Sequence, residues 1–114
     1  MASKKLTTPA AIDAKLAALH ADNALATQDL SAQIGAERWE RVIKQCEAQG
    51  MNVPQIESLC GKMRRTRREW HPNNEAAALA SASIGLLIAI GSAPNDDDVK
   101  AFEATLAPLP GQSS

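Results

Sequence analysis

Apolar residues recur along this chain at three- and four-residue intervals, the period of an α-helix. Ile12, Leu16, Leu19, Asn23, Ala26, Leu30 and Ile34 keep nearly one bearing. They predict a first helix over about 9–34, with Thr8 as N-cap and Pro9 in its first turn. The stripe resembles a short coiled-coil seam, with Asn23 at a core position where a polar residue can set register. Such a seam serves either a dimerisation helix or an amphipathic helix packed within one chain. At Gly35 the apolar bearing jumps, so Trp39, Val42, Ile43 and Cys46 belong to a second helix, about 36–49, with Gly50 at its C-terminal cap. Further helices are predicted over about 54–70, 75–91 and 96–107. Asn52 and Pro54 start the third, Asn73, Asn74 and Glu75 the fourth, and Asn95 with Asp96, Asp97 and Asp98 the fifth. No segment alternates as a strand would. The expected fold is all-α, a small bundle of about five helices.

The third of these helices is chemically lopsided. Ile56, Leu59, Cys60, Met63 and Trp70 form its apolar stripe, while Lys62, Arg64, Arg65, Arg67 and Arg68 crowd its second half. At roughly 100° per residue, Arg64, Arg65 and Arg68 project away from the stripe and Arg67 lies on it. Either the stripe ends before Arg67, or Arg67 pairs with an acid at an interface, the five acids of the C-terminal segment being the candidates, because an unpaired buried charge is costly.

Composition narrows the picture. The 114 residues suit one domain over 1–114, with flexible tails at 1–7 and 108–114. Aromatic residues make up only 3 %, with no Tyr and Phe102 as the single Phe, so the core must be built from Ala, Leu, Ile and Val. The helix at 75–91 carries no charge after Glu75 and should be buried all round, either inside the monomer or at a dimer interface. Its length reaches the lower limit for a membrane span, but its many Ala, Ser and Gly residues insert poorly, so membrane insertion is not expected. This much uncharged helix predicts a homodimer, with Leu16, Leu19, Asn23, Leu30, Ile84 and Leu87 at the interface.

Charge and candidate chemistry come next. The net charge is -1, which argues against a general nucleic-acid binder. Residues 36–71 nevertheless hold eight bases against five acids, and residues 72–114 one base against five acids. A basic middle and an acidic end can serve two surfaces or attract one another. Cys46 and Cys60 fall on apolar stripes, and no apolar leader lies between Met1 and Pro9, which points to buried, reduced thiols in a cytoplasmic protein. His20 at the stripe edge reads as a packing residue and His71 before Pro72 as a helix-terminus residue. No spacing of these four residues suits a metal, and no Gly-rich phosphate loop is present, so neither a cofactor nor an enzyme is expected.

The sequence thus favours a small regulatory protein that binds a partner protein through Lys62, Arg64, Arg65, Arg68, Trp39 and Trp70, since Arg and Trp are favoured at interface hot spots. The alternative is a DNA-binding transcriptional regulator. Residues 33–70 resemble a helix-turn-helix unit whose arginines would contact phosphates. The connection is longer than the usual tight turn, and the arginines sit in the second half of the helix.

Overall fold

The computed structural model describes residues 9–106. The helix order is α1 (Pro9–Ile34), α2 (Ala36–Ala48), α3 (Val53–Trp70), α4 (Glu75–Ala89) and α5 (Asp96–Thr105), with no strand among the described residues. The fold is therefore the expected all-α bundle of five helices. The two predicted tails and the predicted Thr8 cap lie outside the described residues.

Local chemistry accounts for the helix ends. Gly35 takes φ 98° between α1 and α2, a conformation that costs a residue with a Cβ dearly. The chain turns there, and α2 presents its own apolar face. Asn52 opens α3 with a reciprocal cap: its side chain accepts from the Gln55 amide, and the Gln55 side chain accepts from the Asn52 amide. Asn95 and Asp98 repeat the arrangement at α5. Asn74 caps α4 by accepting from the Ala77 amide.

The centre of the bundle is α4. Ala77, Ala78, Ala80, Ser81, Ala82, Ser83, Gly85, Leu86 and Leu87 are all buried, and α1, α3 and α5 pack around them. Small residues on every side let several helices approach one short helix closely. The predicted uncharged helix is thus the core of a single chain. Among the described residues no helix is long and apolar enough to cross a membrane. Leu30, Val42, Cys46, Ile56, Cys60, Leu86 and Ile90 join it in one apolar cluster drawn from four helices and the end of α4. The last carbonyl of this region, on Ile90, accepts from the side-chain amides of Gln45 (2.9 Å) and Gln49 (2.7 Å), so α2 satisfies the C-terminal end of α4.

The α1 stripe has two fates. Asn23, Ala26, Leu30 and Ile34 are buried. Ile12, Leu16 and Leu19, on the same bearing, are 44 %, 47 % and 41 % exposed. The first half of α1 therefore projects past the bundle. His20, expected to pack, is exposed there, on the rim of an open groove between α1 and the start of α3.

α5 buries no residue of its own. It is held by the bidentate pair of Arg38 with Asp98 (2.6 and 3.0 Å), by Asn74 donating to the Thr105 carbonyl (2.7 Å), and by Phe102 edge-on to His71 at 5.6 Å between ring centres. The hydrogen bonds from Arg38 hold the Asp98 carboxyl below the usual carboxylate range, although partial burial opposes this. A carboxyl depressed in the folded state stabilises the fold above its unfolded pKa, and that contribution is lost as pH falls through the folded value. Lowering the pH from 7 to about 3, below the ordinary Asp value of about 3.9, should therefore loosen α5. A urea melt should show the drop, and Asp98→Asn should lower the pH 7 midpoint while flattening the acid dependence. An equal acid drop in Asp98→Asn would assign the effect to other carboxylates.

Candidate functional site

The arginines of α3 do not form a free basic face. Arg64, expected to point outward, is 4 % exposed. Its Nη2 donates to Glu75 Oε2 at 3.2 Å and to Asp29 Oδ2 at 3.4 Å, while Nε and Nη1 are buried without a hydrogen-bond partner. Arg65 Nη1 donates to Asp22 Oδ2 at 2.9 Å and to Asn23 Oδ1 at 3.0 Å. Arg68 Nε donates to both Glu75 oxygens, at 3.1 and 3.3 Å. These contacts, those from Arg68 first, hold the Glu75 carboxyl below its ordinary range. The acids of α1 and the start of α4 are therefore the counter-charges of the basic helix, and the uneven charge along the chain is largely internal adhesion.

The burial of Arg64 has a physical origin. The buried residues of α3 are Ile56, Cys60, Gly61 and Arg64. At ~100° per residue they centre roughly 80° from the apolar stripe, toward the arginines. Gly61 is the reason. A Cβ there would overlap the Asn23 side-chain amide, so α1 approaches α3 on its glycine side. That turn buries Arg64 and leaves Leu59 and Met63 half-buried and Trp70 59 % exposed.

Arg67 does not take the paired course. Among the described residues no acid pairs with it. Its guanidinium carbon lies 3.8 Å from the centre of the Trp70 ring, a cation–π contact. Gly85 of α4 lies against the same guanidinium, and a Cβ at that position would collide with Nη2. Nε is buried and has no partner, and burial lowers the Arg67 pKa. Ile88, one turn beyond Gly85 on α4, is exposed. Trp70, Arg67, Gly85 and Ile88 thus combine an exposed aromatic ring, a guanidinium without an acid among the described residues, the buried glycine against which it lies and an exposed aliphatic residue. Arg67 and Trp70 stand three apart on one helix face, a spacing visible in the sequence. The facing Gly85 is not predictable from it.

The remaining predicted positions are scattered. Lys62 is exposed, and Trp39 is half-buried against the core. Of the six predicted interface residues, Leu16 and Leu19 are exposed. Leu30 and Leu87 are sealed inside the single chain, Asn23 is buried beside Gly61, and Ile84 is half-buried in a cleft of about 220 Å³ with Arg38 and Asp98. A second groove, of about 270 Å³, lies between α1 and the start of α3, lined by Leu19, His20, Asn23, Pro54, Glu57 and Ser58.

Neither thiol is placed for chemistry. Cys46 and Cys60 are free and buried, and burial pushes the Cys60 thiol up to about 11. The thiolate is the reactive form, so native protein should react with a neutral-pH thiol reagent far more slowly than urea-unfolded protein. Fast native labelling at Cys60 would show that α3 opens readily. Among the described residues, no three His, Cys, Asp or Glu side chains come together as a metal site would require.

Fold and geometry define a five-helix, all-α protein with exposed large apolar side chains on the free half of α1 (Ile12, Leu16 and Leu19), at Trp70 and Ile88 of α3 and α4, and at Leu25, Val53, Val99 and Leu106 elsewhere. Comparison with protein-family models, curated proteins and solved structures finds no match.

Proposed function

We propose that this is a small non-enzymatic regulatory protein that binds a partner protein through the face formed by Trp70, Arg67 and Ile88. The observation that carries this reading is Arg67: alone among the four arginines of α3, it has no acid partner among the described residues, and its guanidinium lies between Trp70 and Gly85. A partner side chain bearing a carboxylate would supply the missing counter-charge, and an apolar neighbour would cover Trp70 and Ile88. Trp and Arg at the centre of a desolvated patch are the residues whose truncation most often costs binding.

The DNA-binding alternative finds less support. It asks Arg64, Arg65 and Arg68 to leave Asp29, Asp22 and Glu75 in order to meet phosphates, and Arg64 would also have to leave the core.

The test is capture of binding proteins from the source organism on the immobilised full chain, with Trp70→Ala and Arg67→Ala beside it. A specific partner should lose affinity about 30-fold on Trp70→Ala, the effect of a hot spot of about 2 kcal/mol. Retention of the same partner by both variants would sink the reading. So would tight binding to arbitrary duplex DNA that weakens steeply with salt.

A further inference from the structure

The free half of α1 presents a second surface, independent of the Trp70 face. One stripe runs the length of this helix, and the bundle uses only its second part. Ile12, Leu16 and Leu19 remain uncovered at the spacing that pairs helices. Ala10, Ala11, Ala14, Ala17, Ala18 and Ala21 fill most of the other positions, so another helix can lie close against this one.

We infer that the free half of α1 pairs antiparallel with the same half of a second copy, with Leu16 near the two-fold axis and Ile12 of each chain at the groove beside Leu19 of the other. Three observations select this occupant and direction. First, the stripe is covered by α3 from Asn23 onward, where Gly61 and Arg65 meet Asn23. A parallel partner would carry its own bundle into that helix. An antiparallel partner carries its bundle past Pro9, away from the helices that pack on the second half of α1. Second, Ile12 and Leu19 stand seven residues apart, about 10 Å along the helix. A two-fold axis near Leu16 therefore brings the partner's first turns to Leu19 and His20, two walls of the 270 Å³ groove. The groove is the right kind of receptor for one aliphatic side chain. Third, Asp13 and His20 lie on the same flank, three residues before and four after Leu16. The antiparallel arrangement sets each Asp13 beside the other chain's His20, whereas a parallel one sets like against like.

The contact is four turns of helix, well below the roughly 1,200 Å² that marks durable interfaces, so a reversible dimer is expected, with a midpoint on the order of tens of micromolar. Sedimentation equilibrium of the full chain should show monomer passing to dimer over that range. Leu16→Glu should abolish the dimer and leave the helical circular dichroism unchanged. Leu25→Glu, exposed on the opposite side of α1, should leave dimerisation intact. Direction is read by oxidation of introduced cysteines, since Cys46 and Cys60 are buried and do not compete. Leu16→Cys should cross-link to itself, and Ile12→Cys should cross-link to Leu19→Cys in a mixture but not to itself. A monomer at all concentrations up to about 500 µM, more than tenfold above the expected midpoint, overturns the inference. So does a dimer untouched by Leu16→Glu, or self-cross-linking of Ile12→Cys. Trp70→Ala and Arg67→Ala should not alter the dimer, which separates this result from the partner-binding face.

Discussion

Leu86→Ala should lower the free energy of unfolding by about 3 kcal/mol, within the 2–5 kcal/mol typical of Leu→Ala in a packed core. Leu86 is fully buried in α4, the helix that three others surround, and its side chain lies in the cluster that joins α1, α2, α3 and α4. Its neighbours belong to separate helices whose spacing is set by many other contacts. They cannot all collapse into the space left by three carbons, so a cavity remains and adds to the lost transfer energy. A domain of this kind has roughly 5–15 kcal/mol in total, so one such change removes a large fraction of it. Ile88→Ala, two residues along the same helix but exposed, should stay within about 0.5 kcal/mol. The check is a pair of urea melts with matched slopes. Equal effects of the two substitutions would mean that α4 is not the centre of the bundle.

Arg64→Ala should cost about 3 kcal/mol, and Arg64→Met should recover most of that loss. The side chain is buried, yet only Nη2 has partners, and those partners are themselves substantially exposed: Asp29 at 37 % and Glu75 at 65 %. Ion pairs with such a solvated side contribute about 0–1 kcal/mol. The burial of Nε and Nη1 without partners costs more than these pairs return. What Arg64 contributes is volume: its aliphatic stem fills the space between α1, α3 and α4. Alanine empties that space, whereas methionine fills it and removes the unsatisfied nitrogens. If Arg64→Met proves as damaging as Arg64→Ala, the charge and not the stem holds these helices together. Arg65→Ala and Arg68→Ala, whose side chains are about two-fifths exposed, should each cost within about 1 kcal/mol.

The signals that delimit a helix are carried by residues within one turn of each other. Asn52 with Gln55, Asn95 with Asp98, Pro9, Gly35 and the Pro72 break all act on neighbouring backbone, and the apolar period repeats every three or four residues. By itself, therefore, the sequence determined that this protein is five helices, where each begins and ends to within two residues, that α4 is buried, and that both cysteines lie on apolar faces. The uncovered and covered halves of α1 read alike, because Ile12 and Leu30 differ only in what lies opposite them. The same holds for the arginines. Gly61 has no side chain to register in an apolar stripe, yet its bareness lets Asn23 of α1 approach and turns α3 so that Arg64 goes inside. Gly85, 18 residues after Arg67, makes the bed in which that guanidinium lies against Trp70. Only the tertiary structure decided which arginines are internal, which one lacks an acid, and where apolar surface remains uncovered. Those outcomes depend on pairs of residues brought together from 7 to 60 positions apart, and no local pattern encodes which of them will meet.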